Sequence, residues 1–396
     1  LNFTVKRKLF SELPKMDVYI NDLSSFLPNH PVDNDSVEEV LGKINNIPSR
    51  VKRIVLKNNQ IDTRYYAIDP QTGQLTHTNA QLTAEAVRRL RPHNDFNLNE
   101  IECLSCGTTC GDLLFPGHTL MVLGELCIPA CEAVTTHGIC ISGMTAFKYA
   151  VMNVATGSSN NAVAAASELA SSFMRAQFFD AHDKVDTDVA RRPMLAFDAD
   201  FLRWMLSDGA GAAFLSGQKN ADRISLRVDW IENISYAGSL ETCQFGGGVK
   251  TEDGAVVGWR EVERLDSKSR KQIFAVKQDI KLLDREIVRT AIDQALVRVI
   301  EKHALKPAEV DWFLPHYSSG YFRDKFHDRM KEIGFHIPYE KWFTNLYQKG
   351  NTGSAAIYII MEELFKSGDL KKGQKLLCFI PESGRFSHCY MMLSVV

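Results

Sequence analysis

Short apolar runs alternate with longer amphipathic stretches along the 396-residue chain. Asp17 to Leu27 reads as a strand stopped by the turn Pro28-Asn29-His30-Pro31, and Ser36 to Ile44 follows as a short amphipathic helix. A helix from about Gln81 to Leu90 leads through a polar linker, His93 to Asn99, into a strand that carries Cys103 and Cys106. After the loop Leu114-Phe115-Pro116-Gly117-His118 comes a helix through Leu126. A β-branched run then ends at Cys140, and Met144, Phe147, Val151 and Val154 recur behind it at helical spacing. Past a turn at Gly157 to Asn161, Ala162 to Glu168 is a small-residue strand. Residues 171–200, rich in aromatics and Asp without a period, predict an excursion over a pocket.

Related signals return after Gln218 to Ala221, which marks a seam between 1–218 and 219–396. Ile224 to Ile231 and Val310 to Leu314 read as strands, and residues 240–280 as a second excursion. A strong helix runs from about Asp284 to His303, with Val288, Ile292, Leu296, Val299 and Ile300 on one face. Helix 321–333 follows, and Gly350-Asn-Thr-Gly-Ser-Ala-Ala356 opens another through Phe365. Strands Lys375–Ile380 and Cys389–Val395 close the chain around Glu382-Ser-Gly-Arg385. Strands alternating with helices predict an α/β protein with a mostly parallel or mixed sheet between helices. Residues 1–16 carry mixed charge and little pattern, as an arm or a first strand would.

Composition changes this picture little. A formal net charge of -2 gives no reason to expect a nucleic-acid partner, and no apolar run approaches the length of a membrane span. The chain opens at Leu1 without a charged-then-apolar leader pattern, so the expectation is a soluble cytoplasmic protein. Nine cysteines, an odd number, argue against a complete disulfide framework. Cys103 and Cys106 invite a metal reading, but no second pair follows at finger or ribbon spacing; as small hydrophobes in a buried strand they need no metal. Ser207-Asp-Gly-Ala-Gly-Ala-Ala-Phe214 lacks the Lys-Ser/Thr ending of a P-loop and the spacing of a dinucleotide fingerprint, so it reads as tight backbone packing.

Three residues at element ends carry candidate chemistry. Cys140 precedes Ser142-Gly143 and a helix, where unpaired N–H groups and the helix dipole favour the thiolate, the form that attacks thioesters. A buried cysteine filling space is the competing reading. His316 follows a strand end after Pro315, where a loop can present it to a cleft. Asn351 stands where a helix starts, a position that an N-cap would also explain.

Together these stretches resemble the thiolase-like condensing enzymes, specifically the β-ketoacyl-acyl carrier protein synthase III group. Gly138-Ile-Cys140-Ile-Ser-Gly is similar to its nucleophile turn, Leu314-Pro-His316 to its Pro-His motif, and Gly350-Asn351-Thr-Gly-Ser-Ala to its Gly-Asn-Thr motif. Ser207-Asp-Gly-Ala-Gly-Ala, Ser383-Gly384-Arg-Phe386, Ser25-Phe-Leu-Pro28 and Asn59-Gln-Ile61…Arg64 resemble further motifs, in the family's order, over residues 17–396. Asn351 in place of a second histidine sets the chain apart from elongating synthases. Cys389-Tyr-Met-Met lacks the second catalytic cysteine context of thiolases, and no Gly-Phe-Gly-Pro-Gly loop of chalcone synthases is present. Arg385, His388 and the two long excursions depart from the usual synthase III pattern and resemble the branch that makes dialkylresorcinol and stilbene precursors.

The resemblance implies a five-layered αβαβα fold built from two similar halves, 1–218 with the cysteine and 219–396 with the histidine and asparagine. It implies that Cys140 is acylated by a thioester, with the backbone N–H groups of Cys140 and Gly384 as oxyanion hole. His316 and Asn351 would stabilise the enolate of a second acyl thioester that then forms the carbon–carbon bond. In the cyclising branch, Michael addition and Claisen closure give a 2,5-disubstituted cyclohexane-1,3-dione. An ordinary priming synthase III and a non-condensing acyltransferase are the alternatives. Glu168 and His137 are candidates for proton transfer at the substrate, with a salt-bridged strand end and a packed histidine as their plain readings. Phe115 matches a position that reaches into a partner subunit's acyl pocket, which implies a homodimer. Substrates would be acyl carrier protein or coenzyme A thioesters, with no cofactor and no metal; Arg88, Arg89, Arg91 and Lys148 are the basic candidates for carrier docking.

Overall fold

The computed structural model describes residues 16–49, 51–179, 201–251, 253–271 and 273–396. Nearly all of the expected N-terminal arm and the later part of the 171–200 excursion lie outside them. Nine strands form one mixed sheet: β1 (Tyr19–Phe26), β2 (Cys103–Thr108), β3 (Glu132–His137), β4 (Asn161–Glu168), β5 (Gly209–Ser216), β6 (Leu226–Ser235), β7 (Trp312–Pro315), β8 (Lys375–Glu382) and β9 (Ser387–Val395). Their order across the sheet is β7-β8-β9-β6-β1-β5-β4-β2-β3. A short pairing of Tyr19 and Ile20 with Arg227 and Leu226 joins its two wings.

Residue alternation along each strand sends side chains to two layers. Leu376, Cys378 and Ile380 of β8 face a central apolar layer, whereas Leu377 and Phe379 face an outer one. On β2, Cys103 faces the central layer, and Leu104 and Cys106 the opposite outer layer. Three cores result. One outer layer holds α1 (Asn79–Arg88) and α2 (His118–Leu126). The central layer holds α3 (Cys140–Ala155) and α6 (Ala356–Ser367). The other outer layer holds the continuous helical run α4 (Ile280–Val288, π-helical Arg289–Leu296, Val297–His303) and α5 (Arg323–Glu332). This is the five-layered αβαβα arrangement of the thiolase-like fold. Opposite faces of β2 also keep the Cys103 and Cys106 thiols apart, and among the described residues no group of three or more metal-ligating side chains comes together.

The wings repeat each other. In the first, β2 and β4 pair parallel, while β4–β5 and β5–β1 pair antiparallel. In the second, β7 and β8 pair parallel, while β8–β9 and β9–β6 pair antiparallel. β3 is an additional edge strand on the first wing. Helix α3 leads into β4 and α6 into β8, so the two central helices occupy matching places.

Some element ends differ from the sequence reading. The β-branched run stops at His137; Gly138 and Ile139 turn the corner, and Cys140 is the first residue of α3. The helix expected from Asp284 starts at Ile280, because the Asp279 side chain accepts the Leu282 N–H at 3.0 Å and caps it. The helix expected over Ser36–Ile44 is confined to Val37–Leu41, since Gly42 leaves it with φ 78°.

Close backbone contact sets how α3 sits against α6. A Cβ on Gly143 would lie 2.2 Å from the Ser354 carbonyl oxygen, and one on Gly107 of β2 would lie 2.4 Å from the Ser142 oxygen. The Tyr358 hydroxyl donates to the Gly143 carbonyl at 2.8 Å and Thr136 Oγ1 to that of Ser142 at 2.8 Å. Gly143→Ala forces these backbones apart and is expected to destabilise the protein by about 1–3 kcal/mol. Gly124→Ala, in α2 with open space around it, gains up to about 1 kcal/mol of helix propensity. Urea unfolding of the two variants beside the parent checks both signs.

Candidate active site

One cavity brings together side chains from both wings. Cys140 and Ile139 from the start of α3, Glu168 from the end of β4, Asn351 and Gly353 before α6, Pro381 near the end of β8 and Ser383 just after it all line it. The remainder of the wall is largely apolar: Phe173, Met174, Met205 and Leu206 on one side, Leu283, Ile287, Phe322 and Phe326 of the outer helical layer on the other.

Cys140 is presented by a corner that the sequence makes rigid. Ile139 has φ -102° and ψ -127°, outside the helical region, and Ser142 Oγ donates to its carbonyl at 2.7 Å. The thiol is buried, and its pKa is raised well above the ordinary value, first by burial and then by the charges of Glu382 and Glu168. At rest it is therefore a thiol; the expectation that the helix start favours the thiolate is overruled by burial and two carboxylates.

His316 follows β7, held by its N–H donating to the Phe379 carbonyl at 2.8 Å. The ring is buried and its Nε2 has no hydrogen-bond partner. Burial lowers its pKa to about 4, so the imidazole is neutral near pH 7. Asn351 is held by a one-residue bridge to Leu206, its N–H donating to Met205 at 3.0 Å and its carbonyl accepting from Ser207 at 2.9 Å. The Gly353 N–H donates to its Oδ1 at 2.9 Å, which turns the amide NH2 the other way. Gly350, at φ 70°, makes the approach, because a Cβ there would meet Ser207 Cβ at 2.8 Å. Arg64 steadies the same segment: its Nε and an Nη donate to the Trp204 carbonyl at 3.0 and 2.7 Å. Asp208 ties Ala67 and Ser171 together through their N–H groups at 2.7 and 2.8 Å. The Ser207–Phe214 stretch thus serves packing, and Gly211 admits Tyr358, whose Cβ lies 2.4 Å from where its own would be.

Glu168 is buried at the cavity wall. Its Oε1 accepts from Thr109 N, Thr109 Oγ1 and Ser354 N at 3.1, 2.7 and 3.2 Å. Burial outweighs these donors and raises its pKa to about 7. Gly384 is buried, and its N–H donates to Glu382 Oε1 at 2.6 Å. Two other expected residues lie away from this cavity on the single chain. His137 is exposed at the end of edge strand β3, and Phe115 is 83 % exposed beside Leu113 and Leu114.

Sequence reading passed over Glu382 as a turn residue, although it is an acid in a stretch of small and polar residues between two apolar strands. It is 4 % exposed, and burial raises its pKa to about 7 against the pull of the Ser387, Gly384 and Arg385 N–H groups. His388 supports that turn. Thr290 Oγ1 donates to the Glu286 carbonyl at 2.7 Å, so His388 Nε2 donates to Thr290 at 2.8 Å and Nδ1 faces the Glu382 N–H at 3.4 Å.

Residues 300–380 match the family described as 3-oxoacyl-[acyl-carrier-protein] synthase III C terminal. Over 371 residues the chain is 24% identical to a β-ketoacyl-[acyl-carrier-protein] synthase III of Neisseria meningitidis serogroup A, covering 90% of this chain and 93% of that one. Over 298 residues it is 22% identical to the synthase III of Koribacter versatilis, covering 75% and 78%. Among solved structures, a tetronic acid condensing enzyme, AbyA1, superposes with a TM-score of 0.72 at 18% identity over 95% of this chain and 99% of that one. OleA of Xanthomonas campestris does so with a TM-score of 0.72 at 17% identity over 96% and 99%. The chain has the thiolase-like fold of these condensing enzymes, and its C-terminal part is similar to the β-ketoacyl synthase III family.

Proposed function

We propose that the chain is a ketosynthase that joins two acyl thioesters through a Cys140 acyl-enzyme. The observation that carries this is the meeting of Cys140 and Asn351 on one largely apolar cavity; His316, after β7, is buried and neutral, with an Nε2 unpartnered among the described residues. With its proton on Nε2 the neutral imidazole is a donor, as is the turned-out amide NH2, and both suit the oxygen of an enolate; a ring with a pKa of about 4 is a weak base. The thiol is the nucleophile for the first acyl group. An apolar wall suits an acyl chain better than a polar acceptor, which favours condensation over transfer to an amine or alcohol. Carrier protein and coenzyme A thioesters are the substrate class. In this reading residues 1–218 bring the nucleophile and 219–396 the enolate donors.

Ring closure is the finer reading, and Glu168 supports it. A decarboxylating synthase makes its enolate by losing CO2 and needs no base for that step. Condensation and cyclisation of non-malonyl thioesters remove protons from carbon. A cavity-wall carboxylate with a pKa of about 7 is matched to that task near neutral pH. Michael addition to an α,β-unsaturated thioester followed by Claisen closure would then give the cyclohexane-1,3-dione. The exposed Leu113-Leu114-Phe115 segment and the outward edge of β3 support a homodimer in which Phe115 and His137 approach the partner.

Incubation with saturated and α,β-unsaturated acyl thioesters is expected to add one acyl mass to the intact protein and none to Cys140→Ala. No gain in the folded parent would return Cys140 to a packing role. His316→Ala and Asn351→Ala are expected to acylate normally yet lose about 10²–10³-fold in carbon–carbon bond formation, read by product mass. A β-ketoacyl thioester added to the unsaturated acyl-enzyme distinguishes a cyclic product from a linear one.

A further inference from the structure

Glu382 takes no part in the chemistry above, yet its carboxylate lies beside Ile139, the residue before Cys140. The end of β8 and the turn after it put Pro381 and Ser383 on the cavity wall with Cys140. Between them Glu382, the last residue of β8, is buried and accepts the N–H groups of Gly384 at 2.6 Å and Ser387 at 3.1 Å. A Cβ built on Gly384 would lie 2.2 Å from Glu382 Oε1 and 2.7 Å from Ile139 Cδ1, so the carboxylate lies against the corner that presents Cys140. Two requirements of acylation are thereby left open. The buried thiol needs a proton acceptor, which a neutral, weakly basic His316 does not supply. The tetrahedral oxyanion needs the Gly384 N–H, which Glu382 Oε1 occupies.

We propose that Glu382 accepts the Cys140 proton and, once protonated, releases the Gly384 N–H to the oxyanion, so that one transfer arms the nucleophile and opens the oxyanion hole. The inference rests on the acyl-enzyme reading of Cys140. The S–H bond breaks as an O–H bond forms on Glu382. Sγ bonds to the thioester carbonyl carbon, and the C=O π pair becomes an oxyanion held by the Cys140 and Gly384 N–H groups. Collapse breaks the bond to the leaving thiolate, which takes the proton from Glu382 and restores the carboxylate. A neutral carboxyl is a weaker acceptor than a carboxylate, which is why the Gly384 N–H is freed. A pKa raised to about 7 by burial suits a group that must take and return a proton near neutrality. The titratable groups coupled to it are Cys140 from α3, Cys243 from the β6–α4 excursion and His388 on β9, with Glu168 acting on the same thiol.

The test follows, against pH, the rate of intact-mass gain with octanoyl-coenzyme A and with iodoacetamide. In the parent both rates are expected to rise through an inflection near pH 7, as Glu382 loses its proton. Glu382→Gln keeps an oxygen to accept the turn N–H groups but cannot take a proton. It is expected to lose the inflection and to acylate about 10²-fold more slowly above it. Glu382→Asp, which keeps the carboxylate, is expected to retain the inflection, and guards against a Gln variant that fails to fold. A purely structural Glu382 gives the opposite: the folded Gln variant acylates as fast as the parent or faster, since removing a negative charge favours the thiolate. That result overturns the proposal, as does loss of the inflection in a folded Asp variant. Iodoacetamide needs no oxyanion. Alkylation with the inflection but no acylation by thioesters would sink the condensing reading and leave the proton transfer standing.

Discussion

The contact on which the site depends is the backbone approach of α3 to the turn before α6. Gly143 and Ser354 touch main chain to main chain, with room for no side chain between them. That contact fixes Cys140, three residues before Gly143, against Asn351, three before Ser354. Ser354 also donates its N–H to Glu168 and its hydroxyl to the Ser167 carbonyl at 3.2 Å, so the end of β4 is tied to the same point. The positions of nucleophile, amide and carboxylate are thus consequences of one packed junction. Backbone junctions of this kind tolerate little displacement, because interiors are packed to crystal density.

The duplicated topology explains why the cavity has two kinds of donor. α3 and α6 enter the central layer at matching points of the two wings, each leading into the strand that pairs parallel with its neighbour. Their N-terminal ends meet at the junction. One presents a cysteine as the first helical residue; the other presents an asparagine in the turn ahead of it. In the proposed reaction, placing electrophile and carbon nucleophile at opposing helix starts would let a single cavity hold both acyl groups.

Much of this was legible in the residues, and the reasons are specific. The order of elements followed from short apolar runs and helical spacing, since most strands of the sheet are buried and the outer-layer helices bury one face. Asn351 and His316 stand out because glycine or proline beside them forces the chain to turn at a strand or helix end. The start of α4 was misplaced because its signal lies in one capping side chain, Asp279, rather than in the apolar period. Glu382 was missed because its importance comes from burial, which a polar turn between strands does not advertise. Phe115 was matched by its family position and His137 was chosen from its predicted strand, and both are exposed away from the cavity that Cys140 lines.

Burial also reverses the simplest electrostatic expectation. At a solvent-exposed helix start, N–H groups and dipole would lower the Cys140 pKa; here burial of the thiol and then the charges of Glu382 and Glu168 raise it. A thiolate standing permanently in an apolar cavity would react with any electrophile that entered. Holding the sulfur protonated until a carboxylate takes the proton confines its reactivity to a bound thioester. The same burial that keeps Glu168 and Glu382 near a pKa of about 7 keeps His316 uncharged, so low-dielectric surroundings hold these acids and this base in different states. In the proposed mechanism the carboxylates move protons, and the imidazole and amide hold oxygen.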